Sequence, residues 1–255
     1  MNAPVDWWKD FFDGLAVDFW GAVIPPEATA EDASFLWKHL ALRPGARVLD
    51  VPCGQGRLTR VLAERGCAMT GVDISERALS AARDGMTASA APEIRYRRAE
   101  MRDLPWPGEF DAAFCFGNSF GYLDDDGNAE FLRAVGRALR PGGRFALDYG
   151  QTAESVFPRI VPRQEADLAG FYFAEDTRYD PLTGRIENVF TFARGNTRET
   201  KLASQRVYTL REIVELLPCA GLRYLAHHGS PAEQPFGLGS PRLLLVAERG
   251  GASGA

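Results

Sequence analysis

The period of the apolar positions changes several times along this chain, and each change marks an element. Arg47 to Val51, RVLDV, is a short apolar run that reads as a buried strand. A glycine-bearing turn, PCGQG, follows, and then LTRVLAERG, where Leu58, Val61 and Leu62 recur at helical spacing. The same sequence of events repeats downstream. MTGVD (69–73) reads as a second strand, and Ser75 caps a helix whose inner stripe is Ala78, Leu79 and Ala82. IRYRRAEMRDLP (94–105) holds a third strand ending near Ala99. EFDAAFCFGNSFGYL (109–123) holds a fourth, breaking at Gly117. Asn128 is expected to cap AEFLRAVGRALR, which PGGR would end, and residues 143–150 read as a fifth strand. Strands alternating with helices in this way predict an α/β fold built on a parallel, doubly wound sheet.

The flanks depart from that rhythm. Residues 5–40 read as two helices separated at Pro25 and Pro26. The first is crowded with Trp7, Trp8, Phe11, Phe12, Phe19 and Trp20, which pack it onto the sheet, make it a lid over a ligand, or do both. After Gly150, FYFAEDTRYD, PLTGRIENVFTFARG and NTRETKLASQRVYT have strand character without helices between them, with turn signals at 181–184 and 195–197. They predict an antiparallel insertion of about three strands. The α/β pattern resumes at Thr209, where Thr209 and Glu212 form a capping box, and Gly221 ends that helix. LRYLAHH and RLLLVAE follow with no helix between them, so the last strand should run antiparallel to its neighbours. The expected organisation is an N-terminal helical lid (1–45), a core (46–150), the β insertion (151–208), the end of the core sheet (209–249) and a disordered tail (250–255).

Composition narrows the function. A net charge of −5 over 255 residues gives no basic footprint for nucleic acid. No apolar run approaches the length of a membrane span, and MNAPVDWWKDFFDGL has no signal-peptide pattern, so a cytoplasmic protein is expected. Cys53, Cys67, Cys115 and Cys219 show no metal-ligand spacing and read as small buried residues in a reducing compartment.

The acid at the end of the first strand constrains the ligand. A pyrophosphate is cradled by backbone N–H groups at a helix N-terminus, and a carboxylate beside it would repel it. Asp50 therefore argues against a dinucleotide, as does Thr59 in place of the third glycine of G-x-G-x-x-G. A nucleoside with a cationic end, such as S-adenosylmethionine, suits the turn. Asp73 lies 17 residues beyond Gly56, at the end of the second strand, where a carboxylate accepts from ribose hydroxyls.

Asp50 to Gly56, Asp73, and the loops at Glu100 and Phe116 together resemble the class I S-adenosylmethionine-dependent methyltransferases of small-molecule type. The likeness covers about 46–150. It implies a Rossmann-like sheet of seven strands, six parallel and one antiparallel, with helices on both faces. It also implies roles. The turn through Asp50, Cys53, Gly54 and Gly56 would wrap the methionine part, and Asp73, with Ile74 beside it, would hold the ribose. Glu100, often Asp in relatives, would accept from the adenine amino group, and the Met101 N–H would meet the ring. Phe116, Gly117 and Asn118 would open toward the methyl group. Many relatives carry a tyrosine in the N-terminal helix that reaches the methionine carboxylate. Here Phe19 and Trp20 stand in that region, and Arg57 or the backbone would replace it.

Methyl transfer from a sulfonium needs alignment above all, and a base only when the acceptor arrives protonated. Candidates are Tyr122, His227 and His228, with His39 weaker. Asp124, Asp125 and Asp126 form an acidic run able to draw in an amine. Trp20, Tyr122, Tyr149 and Arg206 are candidate acceptor-binding residues. The expected product is S-adenosylhomocysteine, and the expected partners are a small-molecule acceptor, with an amine nitrogen favoured over a hydroxyl oxygen, and a second copy paired through the β insertion. The alternatives are a methyltransferase for RNA or protein, and a cofactor-binding homologue without transfer.

Overall fold

A computed structural model of the chain describes residues 3–86 and 94–251. Of the tail read as disordered, residues 252–255 lie outside the described residues. Seven strands form the main sheet: β1 (Arg47–Asp50), β2 (Ala68–Asp73), β3 (Ile94–Arg98), β4 (Phe110–Cys115), β5 (Leu139–Tyr149), β10 (Leu222–His228) and β11 (Leu243–Arg249). Their order is β10-β11-β5-β4-β1-β2-β3. β1 pairs in parallel with β2 and β4, while β11 runs antiparallel to both β5 and β10. The closing hairpin is therefore as the sequence predicts.

Helices cover both faces, so the central strands are apolar on both sides. On one face lie α6 (Asp125–Ala138) and α8 (Leu210–Leu216), whose Phe131, Leu132, Val135 and Ile213 meet Phe145, Leu147 and Leu245. On the other lie α3 (Pro26–His39) and α4 (Arg57–Glu64), whose Phe35, Leu36, Leu58 and Leu62 meet Val48, Met69 and Phe114. Ser75 caps α5 (Glu76–Asp84) and Thr209 and Glu212 cap α8 reciprocally, both as expected.

The second sheet has four strands, β6 (Arg163–Leu168), β7 (Phe171–Asp180), β8 (Arg185–Arg194) and β9 (Thr197–Arg206), all antiparallel in sequence order. Three were expected. β6 was illegible because almost every one of its residues is exposed, which leaves no apolar alternation to detect. The N-terminal aromatics pack on this sheet, not on the main one. Trp7, Trp8, Phe11 and Phe19 join Phe171, Phe173, Phe190 and Phe192 in a separate apolar cluster. Phe19 stacks on Phe173 with ring centroids 4.8 Å apart.

Four helix boundaries differ from expectation. The first N-terminal helix is two, α1 (Trp8–Phe11) and α2 (Leu15–Val23), parted at Gly14, which has φ +60°. Pro26 opens α3 as its first helical residue, where its missing N–H costs nothing. Asp124, not Asn128, caps α6, and Asn128 is buried in the first turn, donating to Leu123 O and accepting from the Gly121 N–H. PGGR does not end a helix, since β5 already begins at Leu139.

Gly136 lies where α6 meets the short 3₁₀ turn at Pro218–Ala220, and a Cβ there would overlap the Ala220 carbonyl oxygen. We expect Gly136→Ala to lower stability by about 2 kcal/mol through overpacking, despite its better helix propensity. Chemical denaturation measures this, and an unchanged or raised midpoint would contradict the packing described.

Candidate active site

A cavity of about 520 Å³ opens at the carboxyl ends of the parallel strands, beside the β1–β4 junction where strand order reverses. That junction is where an open α/β sheet leaves a crevice. The floor comes from the loops after successive strands: Cys53, Gly54 and Gln55 after β1, Asp73 and Ile74 after β2, Glu100 and Met101 after β3, and Phe116 to Ser119 after β4. The roof comes from Trp7, Trp8, Phe11, Phe12 and Trp20, and the far wall from Glu175, Asn188, Phe190 and Gln205 of the second sheet. The N-terminal segment thus both packs on a sheet and covers the cavity.

Asp73 organises the floor. Its Oδ2 accepts from the Gly54 N–H at 2.8 Å, and its Oδ1 from the Ser75 N–H at 2.9 Å. Each oxygen keeps a further lone pair. Burial raises its pKa, although those N–H groups oppose the shift. Glu100 is held by Arg102 through Oε2 at 2.7 Å, and its Oε1 is buried without a partner.

Asp50 is not on the cavity wall. It is 3% exposed, beneath the turn, and Thr59 Oγ1 donates to it at 2.5 Å. Burial lifts its carboxyl to about 7, with Thr59 and Arg57 opposing. The residue standing where a third glycine was sought is thus the one that satisfies the acid. Asp50 acts on the shape of the turn from below, not by direct repulsion of a ligand. Gly56 also lies off the wall. It enters α4 at φ +70° against Tyr96, whose hydroxyl a Cβ would strike.

Of the residues singled out in the sequence, Tyr122, Trp20, Cys53, Gly54, Ile74, Met101, Phe116 and Asn118 line the cavity. Burial pushes the Tyr122 phenol upward, so it stays neutral. Asn118 sits at φ +64°, its Oδ1 accepting from the Gly150 N–H and its carbonyl from Gln205 Nε2. Other candidates lie elsewhere. Tyr149 is fully buried and donates to Arg206 O. Arg206 pairs with Asp125 and Glu212 and covers the Tyr208 ring, so it braces a loop and has no charge to spare for a ligand. Asp124 and Asp125 are taken by the α6 N-terminus and by Tyr208 and Arg206. His227 bonds Tyr224, and His228 packs on His39 and Phe35 behind the sheet, off the cavity. Cys219 is exposed, unlike the other three cysteines.

Arg57 reaches the cavity but is tied below it. Its Nη2 meets Asp32 Oδ2 at 2.8 Å, Arg242 meets Asp32 Oδ1 at 2.6 Å and Asp148 at 3.2 Å, and Asp148 accepts from the Gly117 N–H. This set, two buried carboxylates between two part-buried guanidinium groups, fastens α3 to the start of α4 and, through Asp148, to the loop after β4. Sequence reasoning missed Glu175, Asn188, Gln205 and Gln55. The signal was present for the first three: each is a polar residue at an apolar-face register of its strand.

Residues 48–143 match the family described as a methyltransferase domain. The chain is 27% identical over 193 residues to the putative methyltransferase YqeM of Bacillus subtilis, covering 73% of this chain and 77% of that one. Residues 48–143 are thus a methyltransferase domain, and the whole chain has the fold of S-adenosylmethionine-dependent methyltransferases. To a ubiquinone biosynthesis O-methyltransferase of Pseudomonas aeruginosa, this methyltransferase is 35% identical over 104 residues, 40% of its own length and 44% of that relative's. In fold it resembles S-adenosylmethionine-bound CalS10, an amino pentose methyltransferase of Micromonospora echinaspora, at a TM-score of 0.68 and 20% identity over 91% of this chain and 94% of that one. No helix among the described residues is long and apolar enough to cross a membrane.

The folded-state pKa of Asp50 lies above its unfolded value, so its ionisation on burial costs stability that is retained at low pH and lost as pH rises toward and through 7. We expect Asp50→Asn to gain about 2 kcal/mol on the wild type between about pH 5 and about pH 8, read by denaturant unfolding at each pH. A difference that does not grow with pH would contradict the buried placement.

Proposed function

We propose that this methyltransferase moves the methyl group of S-adenosylmethionine to the nitrogen of a small amine enclosed between the aromatic roof and the second sheet. The residues present fit the cofactor. Glu100 Oε1 is a buried acceptor with no partner beside the cavity floor, which suits an adenine amino group. Asp73 keeps acceptor capacity for ribose hydroxyls, while Cys53 and Gly54 would border the methionine part and Ile74 and Met101 the base. When bound, the cofactor supplies an electrophilic methyl on a positively charged sulfur.

Glu175 carries the amine reading. It is a carboxylate on the wall that the second sheet contributes to the cavity, directly across the strand pair from Phe190, and Trp8 and Trp20 line the same cavity. Gln164 donates to its Oε2, and burial raises its pKa. A carboxylate among aromatic faces attracts an ammonium group. An ammonium has no lone pair, so it must lose a proton before it attacks, and a carboxylate of raised pKa is suited to receive it. The roof then keeps water from the reacting atoms. CalS10, which shares the fold, is described as an amino pentose methyltransferase, a substrate that carries an amine.

We expect Glu175→Gln to reduce kcat/KM with amine acceptors at least roughly tenfold while leaving cofactor affinity within about twofold. Wild-type kcat/KM should rise with pH through a limb above the ordinary carboxylate range, and the variant should lack that limb. A panel of amines, phenols and carboxylates with labelled cofactor provides the assay. Turnover confined to phenols, or an unchanged rate and pH profile in the variant, would overturn the amine reading.

A further inference from the structure

Two buried polar atoms on the acceptor side have no partner among the described residues. Asn188 is 5% exposed, on β8, and its Oδ1 is unbonded. Trp8 is 6% exposed, on α1, and its Nε1 is unbonded. Both residues line the cavity. One atom only accepts and the other only donates. An orphaned buried group costs stability, so its persistence at a cavity wall points to a ligand that completes it.

The register shows how the sheet sets these groups. Glu175 pairs with Phe190, Asn188 with Thr177 and Ala203, and Gln205 with Ile186. The three polar side chains therefore step diagonally across β7, β8 and β9, one in each of three successive rows on the cavity side. Around them the same face carries Phe173, Phe190, Phe192 and Ala203. Gln205 is fixed by donation to Asn118 O, and Glu175 by Gln164. Asn188, in the middle of the diagonal, has its acceptor oxygen left over. The roof opposite offers the complementary donor at Trp8, whereas the neighbouring Trp7 Nε1 is already bonded to Ser204 O at 2.9 Å.

We propose that the acceptor is a hydroxylated amine, whose hydroxyl functions donate to Asn188 Oδ1 and accept from Trp8 Nε1 while its nitrogen faces Glu175. A hydroxyl supplies both a donor and an acceptor at one atom, whereas an ammonium supplies donors alone. An amine without a hydroxyl, its nitrogen held at Glu175, would leave both protein atoms unpaired, and sites built to bond a hydroxyl reject the analogue lacking it more strongly than apolar pockets reject a missing methylene. Asn188 and Trp8 are thus specificity residues. This rests on the amine reading above, and the test separates the two.

The test is calorimetric binding in the presence of S-adenosylhomocysteine, using the isomeric aminocyclohexanols, cyclohexylamine and cyclohexanol as probes. With the wild type, at least one aminocyclohexanol should bind roughly tenfold or more tightly than cyclohexylamine. That advantage should fall below about threefold in Asn188→Leu and in Trp8→Phe, each checked for native circular dichroism, with cyclohexylamine affinity retained. Equal binding of aminocyclohexanols and cyclohexylamine overturns this inference and leaves the amine reading standing. Cyclohexanol binding as tightly as the aminocyclohexanols removes the amine reading while the hydroxyl contact survives. No binding by any probe at near-millimolar concentration overturns both. An advantage that persists in both variants overturns the assignment to Asn188 and Trp8.

Discussion

One carboxylate sets the floor of the site. Asp73 ends β2 and takes the N–H of Gly54 from the neighbouring turn and the N–H of Ser75 at the head of its own helix. The two contacts tie the glycine turn to the end of the next strand. The turn is also secured from beneath, where Asp50 and Thr59 share a short hydrogen bond. Two buried acids thus do different work. Asp73 faces the cavity, and Asp50 holds up the backbone that forms it.

The roof and far wall depend on packing instead of charge. Aromatic side chains from residues 7–20 meet the concave face of β7–β9, and the chain is pinned at intervals by polar contacts. Ser75 Oγ donates to Phe12 O, Gln55 Nε2 to Val17 O, and Glu199 accepts from the Leu15 N–H. The first two anchors come from the same loops that make the floor, so roof and floor are mechanically joined. The Asp32–Arg57–Arg242–Asp148 set does the same for α3. Such a part-buried set adds little net stability, but removing an arginine leaves a buried carboxylate short of a partner. It fixes the direction in which the loops after β1 and β4 approach the ligand.

The core elements were legible because their period was clean. RVLDV, MTGVD and the capping box at Thr209 read correctly, as did the antiparallel last strand. Features set by tertiary context were not. β6 carries no apolar face, and Asn128 looked like a cap while its side chain serves Gly121 and Leu123 across a buried turn. Tyr149 and Arg206 have the right chemistry for a site, yet each is consumed by the loop between β9 and α8. Glu175 and Asn188 were overlooked for the opposite reason. Charged and amide residues in an antiparallel strand read as solvent-facing, although the alternation puts Glu175 in step with Phe171 and Phe173 and Asn188 in step with Phe190 and Phe192, and the register joins the two sets on one face.

The central claim is that the crevice whose floor Asp73 organises is where the cofactor sits. Titration of S-adenosylhomocysteine into wild type and Asp73→Ala, each confirmed folded by circular dichroism, tests it most directly. The account predicts saturable one-site binding that weakens at least roughly tenfold in the variant, since ribose contacts to a buried carboxylate are charge-assisted. Undiminished affinity in a folded Asp73→Ala protein, or no heat with the wild type at near-millimolar ligand, would contradict it.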